Sequence, residues 1–258
     1  MLDEIRIKEE LQNLGVPPIE IHLYESTDST NTRAKEYARA NGSKRGAVVF
    51  IANEQTAGRG RRGRSFVSRG GAGIYMSILT YPCKRGADAT AATARAAVSL
   101  SRAIESLCDC EVKIKWVNDI YLGGKKLAGI LTEGEMDEEG KIAYQIVGMG
   151  INVYKNAISD EISSIATSLE DELGTTPDRS ALAAKIIAEL LVDGVDHYKE
   201  YKSRSLVIGK TVTVLKPTES YEARVIDINH DFSLTVERDG RRERLFTGEI
   251  SLRVNEKQ

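Results

Sequence analysis

Three cysteines, three histidines, one tryptophan and four phenylalanines in 258 residues leave this chain short of the residues on which many active sites are built. Cys83, Cys108 and Cys110 make neither a disulfide framework nor a paired CxxC metal signature, so a reduced, cytoplasmic setting is expected. His22, His197 and His230 lie far apart, and none sits in a motif of zinc-site or nucleophile type. No apolar run approaches the roughly 18 residues of a membrane span. The start, MLDEIRIKEELQ, is charged and helical in pattern, unlike a signal peptide. An excess of charge is missing too: 36 Lys and Arg against 38 Asp and Glu give −2, which argues against a protein that coats nucleic acid non-specifically. Chemistry here must run on Lys, Arg, Asp and bound ligands.

Against that near-neutral background, EQTAGRGRRGR (Glu54 to Arg64) puts four arginines and three glycines into its last seven residues. It follows a continuous apolar stretch, GAVVFIA, expected to be a strand buried on both faces. A glycine-bearing loop after such a strand can turn its N–H groups toward an anion, and arginines add bidentate, permanently charged donors. No Gly-Lys-Ser/Thr follows, so it is not a P-loop. On chemistry alone the anion could belong to ATP, RNA or a phosphorylated peptide, and a solvated basic loop is an equal alternative.

Helical and strand patterns interleave along the chain. Asp3 to Leu14 reads as a helix stopping at Gly15, and IHLYES as a short strand. TDSTNTRAKEYARANG reads as a helix capped by Asp28 or Ser29 and ending at Asn41-Gly42. GIYMSILTYP is strand, and ADATAATARAAVSLSRAIESL is an alanine-rich helix able to pack closely on a sheet. VKIKWVNDIYLGGKKLAGILTEG reads as two strands around a Gly123-Gly124 turn. A two-residue loop sets Tyr121 opposite Lys126 and Asp119 opposite Ala128, which leaves Asp119 and Lys126 on one face, Cβ atoms about 7–8 Å apart on the diagonal. Lys115 shares that parity if the strand is unbroken, and Trp116 points toward a core. The pair could equally be an ordinary surface ion pair. KIAYQIVGMGINVY is a third strand ending in a Gly-x-Gly-x-Asn turn, and DRSALAAKIIAELLVDGVDHYKEYKS is a long amphipathic helix closing the first domain.

From Gly209 short alternating segments, broken by Pro217, His230-Asp231 and Asp239-Gly240, suggest a small β-barrel of about five strands. The expected class is α+β: residues 1–205 form a catalytic domain of mixed β-sheet flanked by helices, and residues 206–258 form the barrel.

STN at Ser29 to Asn31, EQTAGRGRRGR, KWVNDIYL, KLAGIL and GMGIN, in this order and at these spacings, resemble the biotin protein ligases. The resemblance covers roughly residues 25–258, including the closing GEISLR of the barrel, which it implies is SH3-like. It implies an enzyme that makes biotinyl-5′-AMP from biotin and MgATP. The biotinyl group then passes to one lysine of a biotin carboxyl carrier protein of acetyl-CoA carboxylase or a related carboxylase. Carried over by position, Ser29, Thr30, Asn31 and Gln55 line the biotin pocket, and Arg59, Gly60 and Arg61 close over biotin. Arg59, Arg61, Arg62, Lys115, Asn118, Lys126 and Asn152 are the implied ATP or adenylate contacts. Lys126, which also touches biotin, Asp119 and Arg61 are the implied catalytic residues, and no protein-held metal is implied. Family members are monomers or homodimers.

The chain departs from the family at Val117, where proline is common, at Phe66, where tryptophan is common, and at Gly73, where asparagine is common. Ala166 stands where some members carry a tryptophan over the adenine. Bifunctional members also carry an N-terminal winged helix-turn-helix, whereas only a short stretch precedes the first motif here. A ligase without operator binding is therefore expected, and membrane association is not. Attachment of lipoate or octanoate on a related fold, and a nucleic-acid-binding module, are the alternative classes.

Overall fold

The computed structural model describes residues 1–42, 46–81, 89–191, 195–216, 218–246 and, for the backbone, 251–254. Cys83, Pro217 and the Gly248, Glu249 and Ile250 of the closing motif lie outside the described residues.

Chain order runs α1 (Glu4–Asn13), β1 (Glu20–Thr27), α2 (Thr30–Asn41), β2 (Ala47–Gln55), β3 (Gly73–Thr80) and α3 (Ala89–Leu107). Four strands follow: β4 (Lys113–Lys115), β5 (Asp119–Leu122), β6 (Lys125–Met136) and β7 (Ile142–Asn152). After α4 (Leu169–Leu173), α5 (Arg179–Leu191) and α6 (His197–Ser203) come β8 (Thr211–Leu215), β9 (Ser220–Ile228), β10 (Leu234–Arg238), β11 (Arg241–Leu245) and β12 (Ser251–Val254).

The first seven strands make one mixed sheet in the order β1-β2-β3-β7-β6-β5-β4, parallel only between β1 and β2. Alternation along β2 shows how the sheet is covered on both faces. Val49 and Ile51 join the large cluster packed with α1, α3 and α5, whereas Val48 and Phe50 face Ala34 and Ala38 of α2. GAVVFIA is thus buried on both sides, as its continuous apolar run implies.

Local chemistry sets several element ends. Asp3 caps α1 through bonds to the Ile5 and Arg6 N–H groups, and Gly15 (φ 74°) lies just beyond that helix. Gly42, at φ 63°, ends α2 where Asn41-Gly42 predicts it. The long helix expected from Asp178 to Ser203 is instead described as α5 and α6, on either side of residues 192–194, which lie outside the described residues.

Two further expectations change. VKIKWVNDIYL is not one strand: the chain reverses at 116–118, and β4 and β5 pair antiparallel with Lys115 opposite Asp119. GMGIN is the end of strand β7 rather than a turn, hydrogen-bonded to β3 on one side and β6 on the other. Glycines there serve close approach to side chains, as the site makes clear.

The C-terminal strands form a second antiparallel sheet in the order β11-β10-β9-β8-β12. Its core is continuous with that of the first sheet through Trp116, Tyr201, Val207 and Phe232. Trp116 is buried as expected, and its indole Nε1 donates to the Phe232 carbonyl at 2.8 Å. The connecting segment lies along β4: Ile114 N–H donates to Arg204 O and Leu206 N–H to Ile114 O, both at 2.8 Å. Among the described residues no helix is long and apolar enough to cross a membrane.

Candidate active site

Where β2 ends, the chain leaves the sheet as the arginine loop and returns as β3, so the loop arches over the ends of β6 and β7. A cleft lies beneath it. Ser29, Thr30 and Asn31 from the start of α2, with Gln55 at the end of β2, form one wall. Arg59, Gly60, Arg61 and Arg62 form the roof, and Asn118, Asp119 and Lys126 the far wall.

The first wall is a connected polar set. Ser29 occupies the N-cap of α2, yet its side chain makes no capping bond, so the helix start presents a hydroxyl and its positive dipole end to the cleft. Asp28 Oδ1 accepts the Ser29 N–H at 2.6 Å. Gln55 Oε1 accepts the Thr30 N–H at 2.8 Å, and Gln55 Nε2 donates to Ser68 Oγ at 2.9 Å. Buried Ser77 on β3 donates to Asn31 Oδ1 at 2.5 Å and lies 2.7 Å from Thr30 Oγ1. A Cβ added at Gly148 would stand 2.1 Å from Asn31 Oδ1, so only glycine lets β7 pass there. Phe66 presses likewise on Gly150, where an added Cβ would lie 2.6 Å from its ring.

The far wall depends on a bulge. Tyr121 faces Lys126 as the two-residue turn predicts, but the register then shifts and Asp119 faces Gly129 instead of Ala128. The extra residue, Leu127, bends β6 and re-aims Lys126. A Cβ at Gly129 would lie 3.3 Å from Lys126 Cε and Nζ, so the glycine leaves the lysine room to fold back. Lys126 Nζ donates to Asp119 Oδ1 at 2.6 Å, with both side chains partly shielded. Lys126 is also held by its backbone, donating to Ile165 O and accepting from the Thr167 N–H. Burial, then the Asp119 charge, pushes the Tyr121 phenol up to about 12.

The roof is fastened by side chains. Arg59 Nη2 meets Glu133 Oε2 at 3.0 Å, and Arg61 Nη1 donates to Asn118 Oδ1 at 3.0 Å. Burial lowers the Arg61 pKa, partly offset by nearby Asp119; a guanidinium still stays charged at any physiological pH. Arg62 is left-handed at φ 58°, ψ 40°, a conformation costly for a residue with a Cβ.

Eleven of the thirteen residues singled out by sequence line this cleft; Lys115 and Asn152 do not. Lys115 Nζ lies over the Tyr121 ring, 5.5 Å from its centroid, and Asn152 is buried with Nδ2 donating to Thr167 O at 3.1 Å. Sequence reasoning missed Ser77, Glu133 and Ser68, whose bonds to Asn31 and Gln55 span 13 to 102 residues of chain. No local pattern signals such contacts.

Residues 23–152, which span β2 to β7 and most of β1, match the biotin/lipoate A/B protein ligase family. Over 227 residues the chain is 30% identical to the biotin (acetyl-CoA-carboxylase) ligase of Mycobacterium tuberculosis, covering 84% of this chain and 82% of that protein. It is 31% identical over 245 residues to the bifunctional ligase/repressor BirA of Bacillus subtilis, covering 90% of this chain and 74% of that one. Among solved structures, biotin protein ligase from Aquifex aeolicus in complex with biotin and ATP superposes with a TM-score of 0.77 at 26% identity, over 92% of this chain and 99% of the other. A cleft walled by these motifs, on a sheet of this topology and with these relatives, places the chain in the biotin/lipoate A/B protein ligase family.

Proposed function

We propose that the cleft joins biotin to ATP and then passes the activated acid to a protein lysine. The chain is an ATP-dependent biotin protein ligase, and its protein substrate is the carrier of a biotin-dependent carboxylase. Magnesium enters as part of MgATP. The observation that carries this reading is the Asp119–Lys126 pair, 2.6 Å apart, beneath four arginines and across from the Ser29–Asn31 wall.

In the first step a biotin carboxylate oxygen attacks the α-phosphorus. The bond to the bridging oxygen breaks, and pyrophosphate leaves with the electron pair. Two anions must meet, so the site has to neutralise charge and align them. Lys126 stands between them, and Arg59, Arg61 and Arg62 supply the remaining positive charge. Ser29, Thr30, Asn31 and Gln55 hold the bicyclic ring by hydrogen bonds. In the second step the carrier lysine, as a neutral amine, attacks the acyl carbon, the bond to AMP breaks and the nitrogen loses a proton. Asp119 orients the amine and receives that proton as Lys126 turns to the phosphate. Lys115 and Asn152 act at the edge of the nucleotide site, reached when the ligand is bound.

The same reading divides the chain at residue 205/206 into a catalytic domain and an SH3-like barrel formed by closure of the second sheet. It places the protein in the cytoplasm, as a monomer or homodimer. The test is biotin-dependent exchange of labelled pyrophosphate into ATP, with lipoate and octanoate as controls. Exchange with biotin alone is expected, and exchange with lipoate alone moves the chain to the sister activity.

A further inference from the structure

Glu133 lies on β6, outside every motif read from the sequence, and the reaction as written gives it no role. Its Oε2 accepts two hydrogen bonds from different parts of the cleft, from Asn31 Nδ2 at 2.7 Å and from Arg59 Nη2 at 3.0 Å. One donor stands in the first turn of α2 and the other in the arginine loop, so a single oxygen ties the ring-binding wall to the roof. Its side chain is 32% exposed, against 43% for Arg59, and a partly screened carboxylate makes stronger charge-assisted bonds than one in open water.

The chemistry of the acceptor fixes its neighbours. A carboxylate only accepts, so Asn31 must turn its NH2 toward Glu133 and its Oδ1 toward the Ser77 hydroxyl. Gly148 backs that amide so closely that a Cβ would clash with Oδ1. Asn31, 4% exposed, therefore has one orientation available. Arg59, a long side chain on a glycine-flanked backbone and still 43% exposed, is tied to β6 by this bond instead of sampling its free rotamers.

We propose that Glu133 is a positioning residue for the carboxylic acid substrate: it sets the Asn31 amide and holds Arg59 over the cleft before the anion arrives. The inference rests on the biotin-activating reading of the site. Pre-ordering Arg59 lowers the entropy lost when the acid binds, and the guanidinium fork has donors enough to keep Glu133 while meeting a second anion.

Glu133→Gln keeps the shape and removes the charge. In pyrophosphate exchange its KM for biotin should rise about tenfold, the size of one charge-assisted hydrogen bond, with a smaller rise in KM for ATP, which Arg59 also faces, and an unchanged melting temperature. In an Arg59→Ala background the same substitution should lose most of this effect. Ligand-free Glu133→Gln should also be nicked by trypsin between Arg59 and Arg64 about threefold faster than wild type, as expected for release of a partly exposed ion pair. An unchanged biotin KM alongside normal wild-type exchange overturns the inference. So does a parallel rise of both KM values with a fall in melting temperature, the signature of a merely structural role. Absence of exchange in the wild type overturns the activity reading instead, and the trypsin comparison then decides whether Glu133 holds the loop.

Discussion

The arginine loop and the β5–β6 hairpin face each other across one cleft and carry most of its charge, but they are held by different forces. Asp119 and Lys126 sit on paired strands, with the main chain of Lys126 bonded in addition to the 165–167 segment. Arg59 to Arg64 have little ladder support: an isolated Arg59–Ser65 bridge, a Gly60 N–H to Arg64 O bond, and a left-handed Arg62-Gly63 step. Side-chain contacts to Glu133 and Asn118 add to the hold. Backbone ladders do not exchange with ligands, whereas ion pairs and side-chain hydrogen bonds do. Such a division suits a rigid wall for bond-making and a roof that opens to admit substrate and closes to retain an intermediate.

Substitutions on the two sides should separate these tasks. The largest effect belongs to the hairpin: Lys126→Ala should slow biotin-dependent pyrophosphate exchange about 100- to 1,000-fold, as loss of a preorganised charge at the reacting phosphate does. A normal exchange rate would remove Lys126 from the first step.

Next comes the floor between the two sides. Gly148→Ala forces a Cβ to within 2.1 Å of Asn31 Oδ1, so about 1–3 kcal/mol of stability should be lost, with a raised KM for biotin. Urea unfolding combined with exchange kinetics measures both, and an unshifted midpoint would mean that Asn31 moves aside freely.

Arg61→Gly should act differently from Lys126→Ala. Exchange should largely persist while stray lysine biotinylation rises about tenfold through faster escape of the adenylate, read by mass spectrometry of a bystander protein. Unaltered acceptor selectivity would sink the roof as a retaining element. The smallest change is expected for Arg62→Gly. Relief of the left-handed strain is opposed by the greater freedom of glycine in the unfolded chain, leaving a gain of up to about 0.5 kcal/mol in urea unfolding. A loss of stability would show that the Arg62 side chain contributes more to the loop than its backbone costs.

Much of this site was legible because its motifs are local. STN, the arginine loop and the Asp119–Lys126 hairpin each lie within a dozen residues, where turn chemistry and strand parity carry the prediction. Errors arose where one residue changed parity or direction. The Leu127 bulge moved the partner of Asp119 to Gly129, and the reversal at 116–118 turned one strand into two. The mixed run GMGINV gave no hint of whether the glycines made a turn or a close-packed strand. Only the approach of Asn31 and Phe66 distinguishes the two.

By itself, the sequence determined the element order as far as Lys115, the two-faced burial of β2, the ends of α1 and α2 and the residue types gathered for an anionic ligand. Those properties follow from hydrophobic period, caps and charge, which act over a few residues. Only the tertiary structure decided that Glu133 joins Asn31 to Arg59, that Ser77 braces Asn31 behind the pocket wall, and that Trp116 ties the active-site turn to the second sheet. Each of those contacts links segments 46 or more residues apart, and their partners meet because the sheet order, not the chain order, sets who is adjacent.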